Sequence, residues 1–264
     1  MENPVLKNKP LVEAIFELHW ELKSIVPNIA NNVMTPLQDP HYRRLIGRFE
    51  NAVHEKYPIY EQLPTANVPE ELVSYTAQHR FRSEENQWPL IQLGPGVLTL
   101  NSTKDYKWES FCPRVIEAIG LLKKAYPKTE DLKIQRFMLH YVDAVKFSIE
   151  ESNAYNFLKE NLKLGFDIPS SLFLENHVKT NPIGLQWQSA FQCLQPKGTF
   201  VLRVANGLVD NDPALIWETI VESQGADVPS QETYSVWLSA AHELASHCFF
   251  NMIEGQLERR FSGE

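Results

Sequence analysis

The residues of this chain that could do chemistry are best judged by their spacing. From His242 and Glu243 to His247 the residue types are those of a zinc-protease helix, a site that needs two histidines four apart on one face. The step here is five, about 140° around a helix, so the two rings point apart and no metal site is expected. There is no Gly-x-Ser-x-Gly elbow, and Cys193 and Cys248 fall on apolar faces where a thiol behaves as an inert hydrophobe. Cys112 precedes Pro113 in a helical stretch and is expected to be structural as well. Gly94-Pro95-Gly96 is too short for a dinucleotide or nucleotide-phosphate cradle, and its proline removes a backbone donor. It reads as a hairpin turn, and no cofactor is expected.

The remaining polar groups of interest lie inside strand-like segments. Arg136, His140 and Asp143 share one, His79, Arg80 and Arg82 a second, and Asn101 ends a third. Alternation puts Arg136, Met138, His140 and Val142 on one face and Asp143 on the other. Arg136 and His140, with Asn101, are the candidate ligand-binding residues: a cleft between their face and a helix could orient a small anionic ligand. The plainer alternative is a wet sheet face carrying ordinary cross-strand polar pairs. Arg80 and Arg82, with Arg43, Arg44 and Arg48, are the candidate nucleic-acid contacts. A net charge of −8 and a pI of 5.6 repel a phosphate backbone and argue against that use.

Elements that would position these residues follow from periodicity. Val12, Ala14, Phe16, Leu18, Trp20 and Leu22 alternate with polar residues in a first strand, which Ile15 alone interrupts. Helical spacing over 28–57, carried by Val33, Leu37, Leu45, Ile46, Phe49 and Val53, is broken by Pro36 and Pro40 into two helices. A strand is expected over 72–82, a hairpin over 89–101 about the Gly94-Pro95-Gly96 turn, and an amphipathic helix over 106–126 ended by Pro127. The order then restarts: a strand over 134–147, a short helix over 153–164, and a strand from Ile183. Lys197-Gly198 should turn into a further strand, Asn206-Gly207 should lead to a third over 215–222, and one long helix should run over 230–261.

The fold class expected is therefore α+β, as two similar halves, 1–130 and 131–264, packed as one unit. Each half is an antiparallel sheet of strand, helix and three strands laid on a long helix, as in TATA-box-binding-like or helix-grip folds. The chain of 264 residues, 43% hydrophobic and 22% charged, is ordinary for a globular protein with a real core. Three widely spaced cysteines without a CxxC fit a reducing compartment. Met1, Glu2, Asn3 and Pro4 open the chain without the apolar run of a secretory signal, and no stretch approaches about 18 apolar residues. A cytoplasmic protein without membrane association is expected.

The runs PLVEAIFEL at 10–18, IQLG at 91–94, LTLN at 98–101 and RFMLHYVD at 136–143 belong together with Tyr106, Trp108 and Phe111. With His242, Phe249, Ile253 and Leu257 near the end, their order and spacing resemble a sporadically distributed prokaryotic family of about this length and of unknown function. The resemblance spans the whole chain and implies no catalytic motif. It implies a genomic context of mobile or defence-associated loci.

These readings converge on a non-enzymatic binding or interaction module, its partner a protein or a second copy of itself, since sheet edges invite pairing. A small-ligand carrier or enzyme of helix-grip type, using the sheet–helix cleft, is the alternative, and a nucleic-acid-contacting regulator is the third.

Overall fold

Ala14, Phe16, Leu18 and Trp20 are fully buried along β1 (Leu11–Trp20), while Glu13, Ile15, Glu17 and His19 take its other face, as a period of two demands. Ile15 therefore does not break the alternation; it is an apolar residue on the polar side. The computed structural model describes residues 6–24, 37–103, 105–169, 171–174 and 177–264. Most of the first helix expected over 28–57, with Val33 and Pro36, lies outside the described residues.

After β1 come a two-residue pair, β2 (Lys23–Ser24) with β3 (Leu37–Gln38), then α1 (Tyr42–Val53), β4 (Ile59–Gln62), β5 (His79–Arg82), β6 (Leu90–Gly94), β7 (Val97–Ser102) and α2 (Trp108–Ala125). The chain continues through β8 (Ile134–Lys146), α3 (Ala154–Asn161), α4 (Ser171–Leu174), β9 (Gln186–Leu194), β10 (Lys197–Val209) and β11 (Asp212–Gln224). It ends in α5 (Tyr234–Ile253) and α6 (Gln256–Ser262). The protein is α+β: nine strands form one antiparallel sheet in the order β4-β5-β6-β7-β1-β8-β11-β10-β9. The β1–β8 pair carries this sheet across the 130/131 boundary.

Helices cover one face. Leu45, Phe49 and Val53 of α1 and Phe111, Val115, Ile119 and Leu122 of α2 meet Phe81, Leu98, Leu100 and the inward residues of β1. Trp237, Leu238, Ala241 and Ala245 of α5 join that core against Phe137, Leu139 and Tyr141 of β8. A second cluster gathers Leu158 of α3 and Met252, Ile253, Leu257 and Phe261 around Leu202, Val204, Leu215 and Trp217. On the opposite face the small buried group Met138, Val201 and Ile220 sits among polar neighbours.

Several expected boundaries move. The strand over 72–82 shrinks to β5, because Tyr75 takes a left-handed φ of 58° and 70–72 form a 3-10 turn. The strand expected from Ile183 starts at Gln186, and Ile183 itself is exposed. Leu194 pairs with Lys197, so Gln195-Pro196 make that turn and Lys197-Gly198 already belong to β10. Asn206-Gly207 sit inside β10; the β10–β11 turn is Asp210-Asn211, both at positive φ as a type I′ turn requires. The long terminal helix is two, divided at Glu254-Gly255, where Gly255 takes a φ of 105°. β4, only four residues long, was not expected at all.

Candidate functional site

Between the helix-covered face of β8 and β11, the first turns of chain before β1, and α5 lies a cavity of about 310 Å³. Leu6, Pro10, Leu11, Ala245, Phe249 and Phe250 give it mostly apolar walls. Its polar lining includes Tyr106 from the loop before α2, Tyr141 and Asp143 from β8, Thr219 from β11 and His242 from α5. β8 supplies two of them because alternate residues of a strand share a face, and Tyr141 and Asp143 are two apart. Tyr141 is paired across the ladder with Thr219, and Asp143 with Trp217.

Tyr106, Tyr141 and His242 form a chain. The Tyr106 and Tyr141 hydroxyls are 2.7 Å apart, and the Tyr141 hydroxyl lies 2.8 Å from Nδ1 of His242. The imidazole stacks on the Trp108 indole, with ring centres 4.1 Å apart and planes within 8°. Burial pushes the His242 pKa down to about 4 against a weaker opposing pull from Glu109, so the ring is neutral at physiological pH. A neutral ring accepting at Nδ1 keeps its proton on Nε2, and the chain then runs from Tyr106 through Tyr141 to His242. Burial raises both phenols well above the ordinary tyrosine range, so they act as hydrogen-bonding groups and not as acids.

Asp143 differs. It is buried, and burial alone drives its carboxyl up from 3.8 to about 8. No hydrogen bond or ion pair from the described residues reaches it. The buried hydroxyl of Thr219 and the Nε1 of Trp217, on the neighbouring strand, are also without hydrogen-bond partners among the described residues. At the rim, Lys9 donates from Nζ to the Tyr106 carbonyl at 2.9 Å. Unpaired buried polar groups are expensive, and a cluster of them facing a cavity is where an incoming molecule gains the most from hydrogen bonding.

The residues selected from sequence lie elsewhere. Arg136 and His140 have the opposite parity to Tyr141 and Asp143 and project from the face without helices, so no sheet–helix cleft includes them. Arg136 donates from Nε to Glu222 at 2.8 Å and lies 3.7 Å from Glu17. His140 Nε2 lies 2.8 Å from Glu218 without the alignment of a hydrogen bond. Asn101 donates to Glu13 at 2.9 Å and accepts from Thr99 at 2.6 Å. Asn101 and His140 do meet in one row, flanking Ile15 across β1. Arg80 and Arg82 share the Glu61 carboxylate four strands away from β8. This face carries its cations already matched to carboxylates, the cross-strand pattern of a sheet surface.

Taken one at a time, Tyr106, Tyr141 and Thr219 carry no mark of a binding role in the sequence. Asp143 carries a signal: an acidic residue among the otherwise uncharged inward positions of β8. The two histidines separate as their spacing requires, His242 into the cavity and His247 into solvent. Among the described residues no three His, Cys, Asp or Glu side chains converge as a metal site, and no helix is long and apolar enough to cross a membrane. Neither a protein-family model nor a curated protein matches the chain.

Proposed function

We propose that the chain is a non-enzymatic binding protein that holds a small, largely apolar molecule in the cavity beneath α5. The observation that carries this reading is the convergence of unpaired polar groups, the Asp143 carboxyl and the Thr219 hydroxyl, on an apolar chamber of ligand size. The hydrogen-bonded Tyr106, Tyr141 and His242 wall is fixed in advance, so binding orders little that is not already ordered. Residues of the resemblance to the sporadically distributed prokaryotic family, among them Tyr106, Trp108, Tyr141, Asp143, His242 and Phe249, line this cavity or stack against its wall.

A finer description of the fold belongs to the same proposal. From the central β1–β8 pair the order runs outward as β7-β6-β5-β4 on one side and β11-β10-β9 on the other. Each half's first strand pairs with its own last strand, and each half ends in a long helix, α2 or α5. That symmetry supports two similar halves, 1–130 and 131–264, of helix-grip or TATA-box-binding-like type.

The test is a titration with N-phenyl-1-naphthylamine, a neutral fluorophore that brightens in apolar surroundings. The intact protein should enhance it saturably, Ala245→Leu should weaken the effect and Ala245→Phe abolish it, with melting checked by circular dichroism. No saturable enhancement, or enhancement indifferent to both substitutions, overturns the reading. A second reading, association with a protein partner or a second copy, is favoured by edge strand β9, where Phe191 and Leu194 are 52% and 84% exposed. Sedimentation of the protein with and without Leu194→Lys tests it: a dimer that the lysine dissociates supports it, and a monomer at high concentration excludes self-association.

A further inference from the structure

Asp143 sets the charge of what the cavity accepts. We propose that the ligand is an organic cation, an apolar molecule bearing a protonated amine, whose ammonium group is held by the Asp143 carboxylate. This rests on the cavity being a binding site and names the ligand class for it.

Four observations lead there. The carboxyl is buried at the cavity wall and nothing among the described residues pairs with it. A lone carboxylate in such a place is strongly disfavoured until a cation joins it. The chain's own cations do not take that role: Lys9 at the rim is tied to the Tyr106 carbonyl, and His242 is neutral and bonded to Tyr141. Beside the carboxyl, the unpaired Thr219 oxygen offers an ammonium a second acceptor, and the rings of Tyr106, Tyr141, Phe249 and Phe250 line the same space, where aromatic faces attract cations. The anionic ligand expected from Arg136 and His140 is the wrong sign for this site, because it would face a carboxyl and no free guanidinium.

Binding then carries a proton balance. Burial holds free Asp143 protonated until about pH 8. When R–NH₃⁺ enters, the carboxyl gives its proton to solvent and the ion pair forms, so about one proton leaves per amine bound at neutral pH. The other groups facing Asp143 do not change charge between pH 6 and 8: His242 titrates near 4, and the Tyr106 and Tyr141 hydroxyls are pushed above the ordinary tyrosine range. Lys9 at the rim and Glu109 near His242 are the remaining charges, so Lys9→Met serves as the control for the rim.

Calorimetry with 2-naphthylmethylamine and the matching alcohol, 2-naphthylmethanol, tests the inference on the whole protein. The amine should bind at least about tenfold more tightly than the alcohol at pH 7, since charge-assisted pairing at a buried site exceeds a neutral hydrogen bond. The preference should fall below about twofold in Asp143→Asn and persist in Lys9→Met. In the unmodified protein, amine affinity should rise by up to about tenfold per pH unit from 6 to 8, and its heat should depend on the buffer's ionisation enthalpy, the sign of proton release. Equal binding of amine and alcohol, a preference that survives Asp143→Asn, or amine binding without proton release each overturns the amine claim while leaving the cavity as a site for neutral molecules. Failure of both compounds and of the neutral fluorophore to bind overturns the cavity reading itself. Should Asp143→Asn not fold, proton release in the unmodified protein decides alone.

Discussion

Asp39 and Asp143 are buried to nearly the same depth, 2% and 4% exposed, yet the first is fully hydrogen-bonded and the second is not. The Asp39 carboxylate accepts from Trp20 Nε1 at 2.8 Å, Tyr126 hydroxyl at 2.9 Å and the His41 backbone N–H at 2.8 Å. It ties β1 to the end of α2 and the start of α1, which is structural work. Asp143 makes no such tie to the described residues and opens on a cavity. The pair separates a carboxylate that ties three elements together from a buried carboxyl that the described residues leave unpaired.

Removing the two should therefore have opposite characters. Asp39→Ala leaves two buried donors and one partly buried N–H unpaired and should destabilise by about 3 kcal/mol at neutral pH. Asp143→Asn should matter through pH. The native carboxyl takes up a proton that the unfolded chain has released between pH 4 and 8, so its contribution to stability falls as pH rises through that window. The slope approaches about 1.36 kcal/mol per pH unit and disappears in the asparagine variant. Urea midpoints across pH 4 to 8 measure both; parallel curves for the parent and Asp143→Asn would contradict the assignment.

His242 gives the opposite slope over a narrower range. Its pKa is lowered from 6.5 to about 4, so below pH 6.5 the unfolded chain binds a proton that the native ring refuses, and stability falls as pH falls toward 4. The Asp143 and His242 contributions should roughly cancel between pH 4 and 6.5, leaving the Asp143 decline visible from 6.5 to 8. His242→Gln should uncover that decline down to pH 4, read from the same urea series.

Tyr141 bridges Tyr106 and His242, so Tyr141→Phe strands a hydroxyl and a ring nitrogen in one step. A loss of about 1–3 kcal/mol is expected, against less than about 0.5 kcal/mol for His247→Ala on the solvent side of α5. Chemical denaturation distinguishes them, and equal small effects would show that the chain contributes little to stability.

On the open face, cations are already matched: Arg80 and Arg82 to Glu61, Arg136 to Glu222, Arg203 to Glu218. The protein should show no retention on an immobilised oligonucleotide at 50 mM salt, roughly where non-specific phosphate contacts are strong. Salt-dependent retention lost in Arg80→Ala/Arg82→Ala would reinstate a nucleic-acid role for this face.

Gly94 closes the β6–β7 hairpin against the chain before β5. A Cβ there would lie 1.9 Å from the Thr76 carbonyl oxygen, a backbone atom that cannot swing aside. Gly94→Ala should destabilise by about 2–4 kcal/mol in thermal or urea unfolding, whereas a substitution at the unobstructed Gly120 should not clash.

Strands with long alternation and helices with sustained apolar stripes were legible: β1, β8, α2 and most of α5 fall where periodicity places them. What escaped was set by partners far along the chain. The β10 turns are fixed by its full registers with β9 and β11, which override the local turn signals at Lys197-Gly198 and Asn206-Gly207. In the site, alternation correctly set Asp143 opposite Arg136 and His140, but a sequence does not show which face the helices will cover. Nor does it show that Tyr106, Thr219 and His242, far apart in the chain, close around Asp143, or that Glu17, Glu218 and Glu222 answer the candidate cations.

A crystal structure grown with N-phenyl-1-naphthylamine tests the ligand-binding claim most directly. The account predicts the fluorophore between β8, β11 and α5, touching Tyr141, Thr219 and Phe249, with the Tyr106, Tyr141 and His242 chain intact. Well-ordered fluorophore on the open sheet face or at the β9 edge, with the chamber beneath α5 left to water, would contradict it.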